Sequence, residues 1–135
     1  MANSTFNLSV VAPDRTVVDE AVASLIAPSV EDYIGIWAGR SPMILALKAG
    51  IVEVTMPNGT NEHIAVGGGF MEVSPDSVII LADDAQFAKE IDIKEAEEAL
   101  DRAKKALRGE ESSMTTEQAT QEIEKAMNRI KAARN

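Results

Sequence analysis

The sequence predicts an α+β chain: eight to ten short strands forming a sandwich or barrel, then an antiparallel two-helix hairpin. Three observations predict it. Glycine and proline turns recur up to residue 90 and then stop, apart from Gly109. Apolar residues alternate in twos before Ile91 and recur at threes and fours after it. An Asn58-Gly59 pair lies between two alternating runs, a strong local signal for a β-hairpin. The expected division is a β domain over residues 1–90 and a helical hairpin over 91–135.

The elements follow in order. Phe6, Leu8 and Val10 alternate with Asn7 and Ser9, as in a half-buried strand. Pro13-Asp14 marks a turn, and residues 15–18 and 22–26 are two further strands. Residues 34–39 form an apolar strand in which Gly35 and Gly39 predict bulges or corners. Residues 43–47 are β-like, and Lys48-Ala49-Gly50 is expected to turn the chain. Residues 51–56 and 61–66 flank the Asn-Gly turn. Gly67-Gly68-Gly69 is expected to separate the second of these from a strand over 70–73. Ser74-Pro75-Asp76 then turns into a strand over 78–81.

Asp92 with Glu95, and Thr115 with Gln118, have the spacing of capping boxes at two helix starts. Ile93, Ala96, Leu100, Ala103 and Leu107 share one helical face, and Gly109 can end that helix. Residues 110–114 are a polar connector. Ala119, Ile123, Ala126, Ile130 and Ala133 share a face of the second helix. Two matched helices joined by a short connector fold back antiparallel. Their seam is mostly alanine, which buries less area than leucine or isoleucine, so the hairpin is helical by propensity but modestly held. A static hairpin satisfies this pattern. So does one that alternates between a packed and an extended state.

Composition excludes several functions. The net charge is −9, opposite to the basic surface that nucleic-acid backbones require. There is no cysteine, so disulfides, thiol nucleophiles and cysteine-based zinc sites are excluded. His63 is the only histidine, which removes histidine-pair metal sites; it is expected on the surface among polar residues. No apolar run approaches the roughly 18 residues of a membrane-spanning helix, and Met1 to Ser4 lack a signal-peptide pattern. The −8 charge of residues 1–90 contrasts with −1 for residues 91–135. Lys125, Arg129, Lys131 and Arg134 give the last helix a basic end without acids. Such an end suits the helix dipole, and it also suits an acidic partner.

No catalytic constellation is present. Gly67-Gly68-Gly69 is followed by strand residues rather than by a lysine and a helix, unlike a phosphate loop. Asp83-Asp84 and Glu31-Asp32 are acidic pairs expected in solvated turns.

Four stretches together resemble the ε subunits of F-type ATP synthases, counterparts of the mitochondrial δ subunit. They are Leu8 to Asp14, the segment Ile34-Gly35-Ile36 through Gly39, Arg40, Ser41 and Pro42, the glycine motif Ile64 to Val73, and Val78 to Ala82 followed by Ile91-Asp92. The segment Ala126 to Ile130 is similar as well. The resemblance implies a β-sandwich of about ten strands and a C-terminal two-helix hairpin. It implies a non-catalytic subunit of the central stalk that binds the γ subunit and the ring of c subunits and couples ion-driven rotation to ATP synthesis. The hairpin would be a regulatory arm whose extended state meets the α and β subunits and blocks ATP hydrolysis. The basic residues Lys125, Arg129, Lys131 and Arg134 would then contact that head. The implied location is peripheral, on the cytoplasmic face of the inner cell membrane.

This chain departs from the family pattern at three points. Arg40 replaces a histidine and Ala38 a proline, and Tyr33 stands where an acidic or amide residue is common. Glu31, Asp32, Tyr33 and Arg40 are the candidates for the ring contact. Some family members bind ATP through an Ile/Leu-Asp-x-x-Arg-Ala motif, which here is Ile91 to Ala96 with Glu95 at the arginine position. Asp92, Arg102 and Arg129 are the remaining nucleotide candidates, and the charge reversal at Glu95 predicts weak or absent ATP binding and no cofactor. The alternative reading is a β-sandwich binding module whose helices mediate dimerisation. A small hydrolase is a third, without a nucleophile and base to name.

Overall fold

A computed structural model describes residues 4–110 and 114–134. Eight strands come first: β1 (Phe6–Ala12), β2 (Arg15–Val22), β3 (Ser24–Pro28), β4 (Tyr33–Trp37), β5 (Met43–Thr55), β6 (Asn61–Val73), β7 (Ser77–Ala82) and β8 (Ala85–Phe87). A 3-10 turn (Ala88–Glu90) leads to α1 (Ile93–Leu107) and α2 (Thr116–Arg134). The hydrogen-bonded order is β2-β1-β7-β6-β5-β3-β4, with β8 also on β6. Neighbouring strands run antiparallel except β1 and β7, which are parallel.

This single network is folded over into two layers. β5 and β6 have 13 residues each, and both cross from one layer to the other. β3 pairs with only the far end of β5, Glu53 to Thr55, while β8 pairs with Ile64 to Val66 of β6. Those segments and β4 make the first layer. β7 takes the other half of β6, Gly69 to Val73, and carries β1 and β2 with it into the second layer. Both layers line one core that includes Leu8, Val10, Leu25, Ile36, Val52, Ile64, Met71 and Ile80. Alternate residues of each strand enter it, as a pleated strand requires.

Eight strands therefore fill the positions of about ten, and two expected breaks are not breaks. Lys48-Ala49-Gly50 lies inside β5, and Gly67-Gly68-Gly69 lies inside β6. The two segments face each other, with Ala49 opposite Gly67 and Leu47 opposite Gly69. They look like turns because glycine is frequent there, but the chain only bends. Gly68 and Gly69 take φ values of +110° and +141°. A Cβ on Gly69 would collide with the Leu81 carbonyl oxygen of β7. The chain needs glycine at that point for both reasons.

The hairpin caps are as expected. Asp92 Oδ1 accepts from Glu95 N at 3.2 Å. At the start of α2 the box is reciprocal: Thr115 Oγ1 accepts from Gln118 N at 3.1 Å, and Gln118 Oε1 accepts from Thr115 N at 2.9 Å. α1 ends at Gly109, with φ +80°, where Gly109 N bonds Ala106 O and Glu110 N bonds Lys105 O. The expected polar connector lies partly outside the described residues. The seam is alanine-rich, with Ala96, Ala103, Ala106, Ala119 and Ala126 buried. Two expected seam positions are displaced. Leu107 is 45% exposed and Ala106 is buried in its place. Ala132, rather than Ala133, is fully buried, because that side of α2 meets the sandwich.

Two glycines with positive φ separate backbone freedom from space. Gly59, at φ +91°, has no heavy atom within 4 Å of an added Cβ. Gly59→Ala should cost about 1–2 kcal/mol, the left-handed penalty alone. Gly69→Ala should cost at least about 3 kcal/mol, because β7 must also move. Urea unfolding of both variants checks the order.

Candidate functional site

The two outer faces of the sandwich differ. On the second layer, cross-strand rows run Ala46-Phe70-Leu81 and Ile44-Glu72-Ile79. Phe70 is 58% exposed, Leu81 56% and Ile44 70%. Alternation normally puts polar residues on such a face. Here it carries a bare apolar ladder, of the kind that marks an interaction surface.

The outer face of the first layer is covered by α2. Ala132 is buried on the cross-strand pair Ile51 and Ala65, and Ala88 and Ile91 close around it. One turn earlier, Asn128 Nδ2 donates to Gly50 O at 2.6 Å and to Val66 O at 3.2 Å. These carbonyls belong to the paired residues Gly50 and Val66, beside the bend of β5 and β6. Next to Asn128, Arg129 Nη2 meets Asp84 Oδ2 at 2.5 Å. Asp84 is itself fixed by its backbone, whose carbonyl accepts from Gly67 N at 2.7 Å. The bend thus supplies both halves of the seat. α1 stacks on α2, and Arg134 reaches Glu97 across the hairpin at 3.5 Å.

Two sequence expectations change here. Asp84 is not simply solvated, since it holds Arg129. His63 is a half-buried side chain directly opposite Glu53, with 3.2 Å between Nε2 and Oε2. The basic residues of α2 are divided by this docking. Arg129 faces the sandwich, Arg134 pairs with α1, and Lys125 packs its stem near Gly67 with Glu122 at 4.0 Å. Lys131 is exposed. Asn128 was missed by sequence reasoning; a lone asparagine in a helix carries no signal of a distant carbonyl.

The nucleotide candidates do converge. Asp92, Arg102 and Arg129 line one cleft of about 240 Å³, with Glu90 and Glu95. Three carboxylates there face two guanidinium groups. Asp92 is occupied as the cap of α1, and Arg129 as the partner of Asp84. Arg129 Nε is a buried donor without a partner among the described residues. A triphosphate needs far more positive charge than this arrangement leaves over, and Glu95 repels it.

The ring-contact candidates fall at both ends of β4. Ser29 Oγ accepts from Glu31 N and Asp32 N at 3.3 and 3.1 Å, and Asp32 Oδ1 accepts from Tyr33 N at 2.8 Å. That loop also exposes Val30. Arg40 follows the other end of β4 and donates through Nη1 to Gly35 O at 3.2 Å. Among the described residues no group of three or more acidic or histidine side chains is placed to hold a metal. No described helix is long and apolar enough to cross a membrane.

Residues 5–88 match the model of the ATP synthase delta/epsilon chain β-sandwich domain, and residues 89–134 match that of its long α-helix domain. An ATP synthase epsilon chain of Moorella thermoacetica is 38% identical over 130 residues, covering 96% of this chain and 97% of that one. One of Pelotomaculum thermopropionicum is 41% identical, with 98% of each covered. A chain in the cryo-EM structure of the Euglena gracilis mitochondrial ATP synthase, described as OSCP/F1/c-ring, shares the fold. Its TM-score is 0.78 at 24% identity, with 98% of this chain and 82% of that chain covered. With both halves matched in order, the chain belongs to the delta/epsilon family of ATP synthase subunits.

Proposed function

We propose that this chain is the ε subunit of a rotary ATP synthase, a non-catalytic coupling element of the central stalk with a hairpin that opens. The observation that carries this reading is the contrast between the two sandwich faces. One is a bare apolar ladder; the other is covered by α2 through a small, largely polar seat. The bare ladder of Ile44, Phe70, Ile79 and Leu81 is the surface for the γ subunit. The loop with Glu31, Asp32 and Tyr33 faces the c ring, with Arg40 at the other end of β4. The subunit is held peripherally on the cytoplasmic face of the membrane through these partners.

Opening is a modest step in this reading. It breaks one bridging asparagine amide, one partly exposed ion pair and the burial of Ala132 against Ile51 and Ala65. Each such polar contact is worth about 0.5–2 kcal/mol net. Once open, Lys125, Arg129 and Lys131 are available to the acidic surface of the α and β subunits. The dimerising-module alternative is distinguished by γ binding, which that reading does not need.

Residues 1–90 and the full chain should bind the stripped catalytic head equally in co-sedimentation, and only the full chain should inhibit ATP hydrolysis. Phe70→Asp should weaken binding of both by at least about tenfold, an effect of a hot-spot aromatic. If residues 1–90 fail to bind while the full chain binds, the hairpin and not the ladder is the attachment, and the proposal is wrong.

Asn128→Ala should shift the hairpin towards the open state by about 1–3 kcal/mol, because it leaves two carbonyls without their donor. Faster amide exchange in α2, with β6 and β7 unchanged, is the expected result. Calorimetric titration of the full chain should show no micromolar ATP binding, and Glu95→Arg should strengthen whatever binding exists by at least about tenfold. Micromolar affinity in the unaltered chain would contradict the charge argument.

A further inference from the structure

The apolar ladder of the second layer is interrupted by one charge. The cross-strand row Ile44-Glu72-Ile79 continues into Ser9 of β1 and Asp19 of β2. Both ionisable groups of this row are acids, and their surroundings differ. Asp19 Oδ1 accepts from Asn7 Nδ2 at 3.1 Å and from Ser9 Oγ at 3.4 Å. Glu72 is exposed, and its carboxylate makes no ion pair among the described residues.

Glu72 has exposed apolar side chains on three sides. Ile44 is opposite it on β5, Ile79 is opposite it on β7, and Phe70 is two residues back on the same face of β6. The chain supplies no cation to this point. Lys48, the one basic residue of β5, is four residues beyond Ile44, about 13 Å at strand spacing. Arg40 donates to the Gly35 carbonyl. A partner that lies on Ile44, Phe70 and Ile79 together therefore covers Glu72 as well. A carboxylate stripped of water without a counter-charge costs more than one neighbouring apolar contact returns. The covering surface has to bring the opposite charge to that point, and the −8 charge of residues 1–90 favours such a partner.

We propose that Glu72 is the specificity determinant of the ladder, pairing with a lysine or arginine that projects from an otherwise apolar strip of the γ subunit. This rests on the assignment of the ladder to γ and adds the chemistry of the surface that fits it. Ile44, Phe70, Ile79 and Leu81 supply burial, and Glu72 sets the register. A slip by one row brings the cation onto Phe70 and Leu81 and leaves the carboxylate covered and unpaired. Asp19 does not compete for the cation, because Asn7 and Ser9 already hold it.

Glu72→Leu tests the pairing, because a charged and a purely apolar contact respond with opposite sign. Facing a cation, leucine leaves a covered positive charge without its partner. Binding of the full chain to the stripped catalytic head that holds γ should then weaken at least about tenfold. Facing an apolar surface, leucine extends the ladder and should tighten binding. Glu72→Arg should weaken binding more than Glu72→Gln, since it sets like charges together. Titration followed by co-sedimentation gives the Kd of each variant. Glu72 is exposed, so thermal unfolding of the free variants should be unchanged. Unchanged or tighter binding by Glu72→Leu, with Phe70→Asp still weakened, overturns the inference and leaves the ladder as the γ surface. Binding that Phe70→Asp leaves intact removes the ladder from γ, and this inference with it.

Discussion

The close approach of Gly69 to the Leu81 carbonyl is the constraint on which the remaining architecture depends. At that point β6 leaves β8 and joins β7, and the sheet folds over onto its own core. A side chain at residue 69 would hold the two strands apart, so the second layer could not form where it does. The same bend presents Gly50 O and Val66 O outward and fixes the Asp84 backbone on Gly67. Fold and seat are therefore one piece of geometry: without the bend there is nothing for Asn128 or Arg129 to hold.

The energetics divide in the same way. The sandwich is stabilised by Leu, Ile, Val and Met packed in one core, each worth about 1.5–3 kcal/mol on full burial. The hairpin is stabilised by caps, propensity and an alanine seam. Between them lie a few polar contacts and the small cluster of Ala132 on Ile51 and Ala65. A structure with a deep core on one side of a thin junction separates at the junction first, because stability is not uniform and the weakest cooperative unit opens earliest.

What could be read from the sequence was local. Asn58-Gly59, the Asp92 cap, the Thr115–Gln118 capping box and the stop at Gly109 each depend on residues within five positions of one another, and each is present; Glu95 does not return the bond that would complete a box at Asp92 among the described contacts. The bends failed for the opposite reason. Whether Lys48-Ala49-Gly50 turns or merely bends depends on Gly67 to Gly69 in another strand, which local pattern cannot supply. The Asp84–Arg129 pair spans 45 positions, and Asn128 spans 78 to Gly50. Leu107 illustrates a subtler limit. Helical spacing identifies a face, but a one-residue rotation decides whether leucine or its alanine neighbour is inside. Asp92, Arg102 and Arg129 line one cleft with Glu90 and Glu95, a convergence that local pattern does not supply, whereas their opposed charges are visible in the sequence itself.

The strand path ends at β2 and β4, and the three-residue β8 makes a further, short edge on β6. Unpaired strand edges recruit other strands, and a subunit made separately from its assembly is exposed to that hazard while it waits. β2 meets it with charge, carrying Arg15, Asp19 and Glu20. β4 is mostly apolar, Tyr-Ile-Gly-Ile-Trp, and has no charge of its own. Its protection is borrowed from outside the strand: the guanidinium of Arg40 occupies the Gly35 carbonyl, and the Trp37 ring lies against the same glycine. An incoming strand would meet a positive charge at the Gly35 carbonyl and an indole beside it, in the middle of β4. The Arg40 guanidinium thus occupies a carbonyl of this edge strand that an incoming strand would otherwise find free.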